Sequence, residues 1–389
     1  PPIFAKYGKY NIASSAPFRR IAYKDALETY GSDKPDLRFG LPIADVTELA
    51  RGCGFSVFRK AVEAGGVVRA LNVKGRCDFS RGTIEELTKK ALAYGAGGMA
   101  WIALREDGEP YSVLTKYFSK ADFAALLDAV DGRPGDFILF CADRFSTVCR
   151  TLGGLRLDLA DLLGLRRNPG DYKFCFVTDF PQFEYSEEEG RYVATHHPFT
   201  MPYPEDLPYL LTDPARVRAQ AYDVVLNGVE LGSGSIRIHS RDVQKRMFEA
   251  LGFSDGQIGE RFGFLVNAFQ YGTPPHGGFA FGLDRLVMQM LGAPSLRDVI
   301  AFPKVQNASE ADAIKKAYLE LGKLYFAERG AAPEPAYAAL CEKISQSQAK
   351  IEYNNERIAD IKAAGNLSDE EIQDVEVDIH DAAAEDHAD

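Results

Sequence analysis

The sequence predicts an α+β protein: an antiparallel sheet backed by helices, interrupted by a second α+β module and followed by a helical hairpin. Three observations predict it. The first is YDVVLNGVELGSGSIRI, where two strand-like runs flank Asn227-Gly228, a two-residue turn whose positions both take positive φ. The second is the order of the next segments: helical VQKRMFEALG and GFLVNAFQYG, the strand GGFAFGL, and the helix DRLVMQMLG. Hairpin, helix, strand and helix is the order of an antiparallel sheet with helices against it, not of a doubly wound parallel sheet. The third is a three-and-four spacing of Tyr337, Leu340, Ile344, Ser347, Ile351, Asn354, Ile358 and Ile361, mostly apolar, which argues a helical hairpin or short coiled coil.

In chain order, residues 1–16 show no period and read as an irregular lead-in. Residues 17–42 give an entry loop, a short helix at about Tyr23 to Tyr30, and a Gly/Ser/Asp/Pro turn. Residues 43–142 alternate short strands with helices and form a compact module. GGVVRALNVKG and GMAWIAL are its strands, and SRGTIEELTKKALAYGAGG is a helix that Thr83 and Glu86 open as a capping box. Residues 143–310 begin with the helix RFSTVCRTLGGLRLDLADLLGL and pass into the strand-rich region that holds the Asn227-Gly228 hairpin. Along SIRIH, alternation turns Ile236 and Ile238 one way and Ser235 and Arg237 the other. In residues 311–365, Ile314, Tyr318, Leu321 and Tyr325 fall at helical spacing before a loop broken by Pro333 and Pro335. Residues 366–389 form an acidic tail, too charged to fold strongly.

Composition bounds the function. With 389 residues, the chain holds two or three domains. No apolar run approaches the roughly 18 residues needed to span a bilayer, so no membrane partner is expected. Six scattered cysteines without a CxxC pair are the usage of reduced thiols, which implies a cytoplasmic protein without a zinc site. The formal charge of −11 is almost entirely the tail, where ten acids meet no lysine or arginine. The body is near neutral, so any anion site must come from local placement of Arg and Lys.

Four features could form one such site. His196 and His197 precede a proline in THHPFT; one packed histidine on a loop is the plainer reading. Glu230 follows the hairpin turn and faces solvent unless a cation lies above the sheet, and Gly232 and Gly234 leave room there for a ligand. Arg237 sits between two isoleucines, where an unpaired guanidinium is costly, so it needs either an internal carboxylate or a substrate carboxylate. Gly282, Leu283, Asp284 and Arg285 form a strand-to-helix junction, where unpaired N–H groups and the helix dipole attract anions. An isolated Leu-Asp-Arg is equally a helix-start ion pair. No nucleophile set and no P-loop is present. The inventory suits a reaction whose substrates bring nucleophile and electrophile while the protein aligns them, such as adenylation of an amino acid.

YGSDKPDLRFG, FVTDFPQFEY, THHPFTMP, YDVVLNGVELGSGSIRIH, YGTPPHGGFAFGLDRLVMQMLG and RDVIAFPK resemble bacterial-type aspartyl-tRNA synthetases, class II enzymes. The resemblance runs from about Pro17 to Glu310. It implies a partial class II antiparallel sheet, split by an inserted GAD-type α+β domain, with GFAFGLDRL as the third class II motif. It also implies ATP, Mg2+, L-aspartate and tRNA(Asp) as substrates and cofactors, and a homodimer. By it, His196 contacts aspartate and Arg237 pairs with the aspartate side-chain carboxylate. Glu230 holds ATP with its Mg2+, and Gly282, Leu283, Asp284 and Arg285 bind ATP, Arg285 at the terminal phosphate. Ser233 stands where the family has a third glycine. The anticodon-binding domain and the first two class II motifs are not recognisable, and the sequence after about residue 310 departs from the family. The expectation is therefore a truncated or rearranged aspartate–tRNA ligase, weakly active or inactive alone. The alternative is a non-catalytic amino-acid- or nucleotide-binding or interaction protein that reuses the fold. A sister enzyme for asparagine or lysine fits GSDKPD and the insertion less well.

Overall fold

The computed structural model describes residues 2–14, 16–166, 171–303 and 310–365. These fall in two compact units, Pro1–Ile300 and Ala301–Asp389. The first unit opens with α1 (Pro2–Tyr7), β1 (Asn11–Ile12), β2 (Arg19–Ala22) and α2 (Tyr23–Tyr30). Next are β3 (Ile43–Asp45), α3 (Thr47–Gly52), α4 (Ser56–Glu63), β4 (Val67–Val73), α5 (Arg81–Ala93), β5 (Ala100–Leu104), β6 (Pro110–Tyr111), α6 (Lys120–Ala129) and β7 (Phe137–Asp143). Then come α7 (Phe145–Leu162), β8 (Asp171–Tyr172), β9 (Phe174–Pro181), β10 (Phe183–Ser186), β11 (Arg191–Ala194), β12 (Arg218–Leu226) and β13 (Val229–Ile236). The unit closes with α8 (Arg241–Ala250), α9 (Asp255–Ala268), β14 (Gly277–Phe281) and α10 (Leu283–Leu291).

Two five-stranded sheets organise it. In the order β14-β13-β12-β9-β2, every pair is antiparallel except the last, where Arg19 of β2 runs parallel opposite Cys175 of β9. The second sheet, β3-β4-β7-β5-β6, is antiparallel throughout and lies within residues 43–143. The predicted α+β class with an antiparallel sheet is what the chain adopts. Its clearest local signal holds: Asn227 (φ 53°) and Gly228 (φ 85°) make the turn between β12 and β13. The Asn227 side chain secures it, donating to the Asp171 carbonyl at 3.1 Å and accepting from the Lys173 N–H at 3.0 Å.

The central strands of each sheet are covered on both faces, while β14 at the edge of the first sheet is exposed. Ala221 and Val225 of β12, with Cys175 and Val177 of β9, pack toward α2, whereas Val224 and Leu226 pack with Phe174 and Leu231 toward α1 and α10. On the second sheet, Ala50, Phe58, Val62 and Leu126 of α3, α4 and α6 cover one face. The other face is covered by Leu87 and Ala91 of α5 together with Val148, Leu152, Leu155 and Leu159 of α7. Helix α7 therefore shares the core of the inserted module, although it comes after it in sequence.

Several local expectations change. Residues 2–7 of the lead-in are helical, because Phe4 is buried edge-on against Tyr172 with ring centres 4.8 Å apart. The cap of α5 is Ser80, whose hydroxyl accepts from the Thr83 N–H at 3.1 Å, so Thr83 lies inside the first turn. The alternation through SIRIH stops where β13 ends: Ile236 is exposed, while Ser235 and Ile238 are both buried.

Gly232 and Gly234 also serve a different purpose from the expected one. A Cβ on Gly232 would meet the Ala280 carbonyl oxygen at 2.4 Å, and one on Gly234 would meet that of Gly278 at 2.1 Å. These glycines let β13 and β14 close together.

The second unit contains α11 (Glu310–Arg329) and α12 (Ala338–Gly365). The rings of Tyr325 and Tyr337 lie 4.9 Å apart across the intervening loop, and the Glu334 N–H donates to the Tyr325 hydroxyl at 3.1 Å. Ile314, Tyr318, Asn354, Ile358 and Ile361 lie outside the residues whose side chains are described, and the acidic tail lies outside the described residues altogether. Among the described residues no helix is long and apolar enough to cross a membrane. All six cysteines are unpaired, and no cluster of three or more His, Cys, Asp or Glu that could hold a metal occurs among the described residues.

Candidate functional site

The site forms on the α2 side of the first sheet. Register places Glu230 opposite Val225 and Ser233 opposite Asp223, so Asp223, Glu230 and Ser233 share one face. Ala280 and Gly278 of β14 pair with Ser233 and Ser235 and extend this face with small residues. The loop after α2 supplies Asp33 and Lys34. The Lys34 ammonium lies 2.7 Å from Asp33 Oδ2 and 3.8 Å from Glu230 Oε2. From the other side, the Arg285 guanidinium lies 3.4 Å from Glu230 Oε1 and donates to the Glu230 carbonyl at 3.1 Å. Glu230 thus stands between two cations, which answers why its carboxylate turns inward.

Arg285 can reach Glu230 because of how α10 begins. Gly282 donates its N–H to the Leu231 carbonyl at 2.7 Å and acts as the N-cap, without any side-chain cap. The first-turn N–H groups of Leu283, Asp284 and Arg285 consequently lack the usual Ser or Asp partner. Leu283 is exposed and Asp284 occupies the first turn. Both readings of the junction meet here: Arg285 does make an ion pair, and its partner is itself a candidate site residue.

Asp223 is the feature that motif reading overlooked. It is buried, and burial together with the neighbouring Glu230 and Asp33 carboxylates pushes its carboxyl up to about 7, against the opposing pull of Lys34 and Arg285. Lys34 behaves in the opposite sense. Burial would depress it, but the hydrogen bond and charge of Asp33, with Glu230 and Asp223, hold its ammonium above the usual lysine range. Asp33 and Lys34 lie in the recognised GSDKPD segment, yet their site role depends on contacts about 190 residues away, which no local pattern encodes.

His196 joins this cluster, edge-on to Phe180 with ring centres 5.0 Å apart. Its pKa is lowered, first by burial and then by Lys34, against Glu230, Asp33 and Glu184. His197 takes the contact that sequence reasoning left open. Arg237 Nη1 lies 3.2 Å from His197 Nδ1 and also contacts its Nε2. Burial and the Arg237 charge both lower the His197 pKa, so the ring is neutral at pH 7 and can accept from the guanidinium. Among the described residues Arg237 has no carboxylate partner, so the internal Asp or Glu considered from sequence is not found. Its backbone N–H donates to the His276 carbonyl at 2.9 Å and it bridges Thr200, which fixes its position at the end of β13.

The collected groups are three carboxylates, two cations and a histidine on one sheet face, with a guanidinium on a neutral imidazole beside it. They offer acceptors for an ammonium or a metal and donors for carboxylate or phosphate oxygens.

The family described as tRNA synthetases class II (D, K and N) matches residues 3–306. The chain belongs to this family. The class II match starts ahead of Pro17, where the motif resemblance began, and takes in α1 and β1. Among curated relatives, an aspartate–tRNA(Asp/Asn) ligase of Symbiobacterium thermophilum is 52% identical over 300 residues, 76% of this chain and 50% of that protein. An aspartate–tRNA ligase of Ruminiclostridium cellulolyticum is 54% identical over 293 residues, 75% of this chain and 49% of that one. A solved aspartyl tRNA synthetase from Entamoeba histolytica overlaps locally, at 25% identity and a TM-score of 0.28 over 39% of this chain and 26% of that one. The chain spans about half the length of the curated relatives it matches. The class II resemblance read from the motifs, to the bacterial aspartyl type, is borne out.

Proposed function

We propose that this face is the amino-acid-activating site of an aspartate–tRNA ligase. The observation that carries the proposal is the meeting of Glu230, Arg285, His196, Asp33, Lys34 and Asp223 on one sheet face. In this reading Arg237 gives up part of its contact with His197 to pair with the aspartate side-chain carboxylate, and His196 contacts the same substrate. Arg285 and the N–H groups at Gly282, Leu283 and Asp284 take the ATP phosphates. Asp223 and Glu230 fit a divalent ion by the chemistry of the donor set. Two carboxylates share this face, and burial together with the Glu230 charge raises the Asp223 carboxyl to about 7. Mg2+ bound there with ATP would neutralise phosphate charge.

The reaction joins an α-carboxylate oxygen of aspartate to the α-phosphorus of ATP, breaking the bond to the leaving pyrophosphate. The terminal ribose hydroxyl of tRNA(Asp) then attacks the carbonyl carbon and AMP departs. The protein's part is to align the anions and offset their charge. By the same reading residues 43–142 are a GAD-type insertion, and α11 with α12 a helical hairpin outside the catalytic fold.

Calorimetry of the chain with L-aspartate tests the proposal. The chain should bind it, and Arg237→Ala should weaken binding by roughly tenfold to a hundredfold, as expected when a charge-assisted pair is lost. No binding by the unsubstituted chain, or an unchanged affinity in Arg237→Ala, would overturn it. Pyrophosphate exchange by the chain would exclude the alternative of a binding protein, which would take aspartate and ATP without exchange.

A further inference from the structure

We propose that Arg156 is a positioning residue that sets the loop of residues 31–41, and so places Asp33 and Lys34 at the site. The inference rests on the proposed function, in which those two residues belong to the activating site. Arg156 lies on α7, and its side chain is almost wholly buried, at 1% exposure. No carboxylate hydrogen-bonds to it among the described residues. Instead Nη2 donates to the carbonyls of Asp36 (2.8 Å), Phe39 (3.2 Å) and Gly40 (3.0 Å), and Nε donates to that of Leu41 (3.1 Å). The guanidinium also lies over the Phe39 ring at 4.2 Å and the Tyr30 ring at 4.9 Å.

Burying a charge in this way is expensive unless something needs it. Here four backbone carbonyls need it. The loop is irregular, so no helix or strand ladder supplies donors for those oxygens, and a planar five-donor fork does so from one point. Leu41 adds a reason. Its φ of 61° is a left-handed conformation that a leucine adopts at a cost, and its carbonyl is the one that Arg156 Nε holds.

The same helix grips the other end of the loop. Gly31 and Gly153 touch backbone to backbone, such that a Cβ on Gly153 would meet the Gly31 carbonyl oxygen at 2.6 Å. One turn along α7 separates Gly153 from Arg156. Asp33 and Lys34 therefore lie between two points fixed on a single rigid element. Within the span, the Ser32 hydroxyl accepts from the Lys34 N–H at 3.0 Å, and Asp36 accepts from the Arg38 N–H at 3.0 Å. These contacts and the Arg156 fork together restrain the loop.

The test compares the full chain with Arg156→Lys, with Phe39→Ala, which weakens the clamp without touching the charge, and with Arg156→Lys/Leu41→Gly, which relieves the left-handed strain. Hydrogen exchange is read on peptides covering residues 31–41, with β4 and β7 as internal controls. Calorimetry is then run with L-aspartate. In Arg156→Lys, exchange of the loop should quicken by about tenfold or more, the size expected for lost charge-assisted hydrogen bonds, while β4 and β7 stay protected. Aspartate affinity should fall by a similar factor, and Leu41→Gly should restore part of both. Phe39→Ala should give the same pattern more weakly, and decides the matter if Arg156→Lys does not fold. A loop as protected as in the unsubstituted chain would overturn the proposal. So would exchange quickening evenly over the first unit, or an unchanged aspartate affinity. If the unsubstituted chain binds no aspartate, the functional reading fails, and the exchange pattern still decides whether Arg156 holds the loop.

Discussion

Asp223→Asn should make the protein more stable at neutral pH and less able to bind nucleotide. The carboxyl ionises at 3.8 in the unfolded chain and at about 7 in the folded one. Between these values the folded state holds a proton that the unfolded chain has released, so stability falls as pH rises from about 4 to 7 and is level above. A shift of that size corresponds to roughly 4 kcal/mol at 1.36 kcal/mol per unit, an upper bound for what an uncharged isostere recovers. The assay is urea denaturation tracked by far-ultraviolet circular dichroism at several pH values. The variant and the unsubstituted chain should agree near pH 4 and diverge by roughly 2–4 kcal/mol at pH 7.5. Parallel pH profiles would refute the buried, proton-holding carboxyl. The accompanying loss should be in Mg2+-dependent ATP affinity, since the pair with Glu230 is then broken.

Two further substitutions probe the scaffold. Gly234→Ala places a methyl against the Gly278 carbonyl and the Tyr222 ring, so it should cost about 3 kcal/mol or more, and thermal melting should show it. An unchanged melting temperature would mean that β13 and β14 are not so closely paired. Leu152→Ala empties a fully buried position between α7 and the inserted sheet and should cost about 2–5 kcal/mol, read by the same melt with the sole tryptophan, Trp101, as probe.

What could be read from the sequence was local. Asn227-Gly228 announces its hairpin because the turn's dihedral demands fall on two adjacent residues. Glu230 and Arg285 could be nominated because each sits at an element boundary with its own chemistry. Ser80 was passed over as a cap in favour of Thr83, because the hydroxyls stand three residues apart and only the hydrogen bond distinguishes them. Asp223 looked like any polar residue within a strand, since its raised pKa comes from neighbours brought in by folding. Arg156 lay within a segment read only as a helix, and its four carbonyl partners sit more than a hundred residues away. The two glycines of β13 show the opposite limit. Their smallness was evident, but the direction it serves depends on which strand lies alongside.

The pairing of β2 with β9 predicts an order of events for the growing chain. Arg19 meets Cys175, and nearly everything between them is the inserted module with α7. During synthesis β2 emerges before the whole module and waits without its neighbour until β9 has been made. Closing so long a connection is entropically unfavourable while the intervening chain is loose, and far easier once that segment has collapsed on its own core. The module's sheet is made of strands that lie within about a hundred residues of one another, so it can form first. Its collapse would draw the ends of β2 and β9 together, so that pairing of these strands is expected to follow formation of the second sheet.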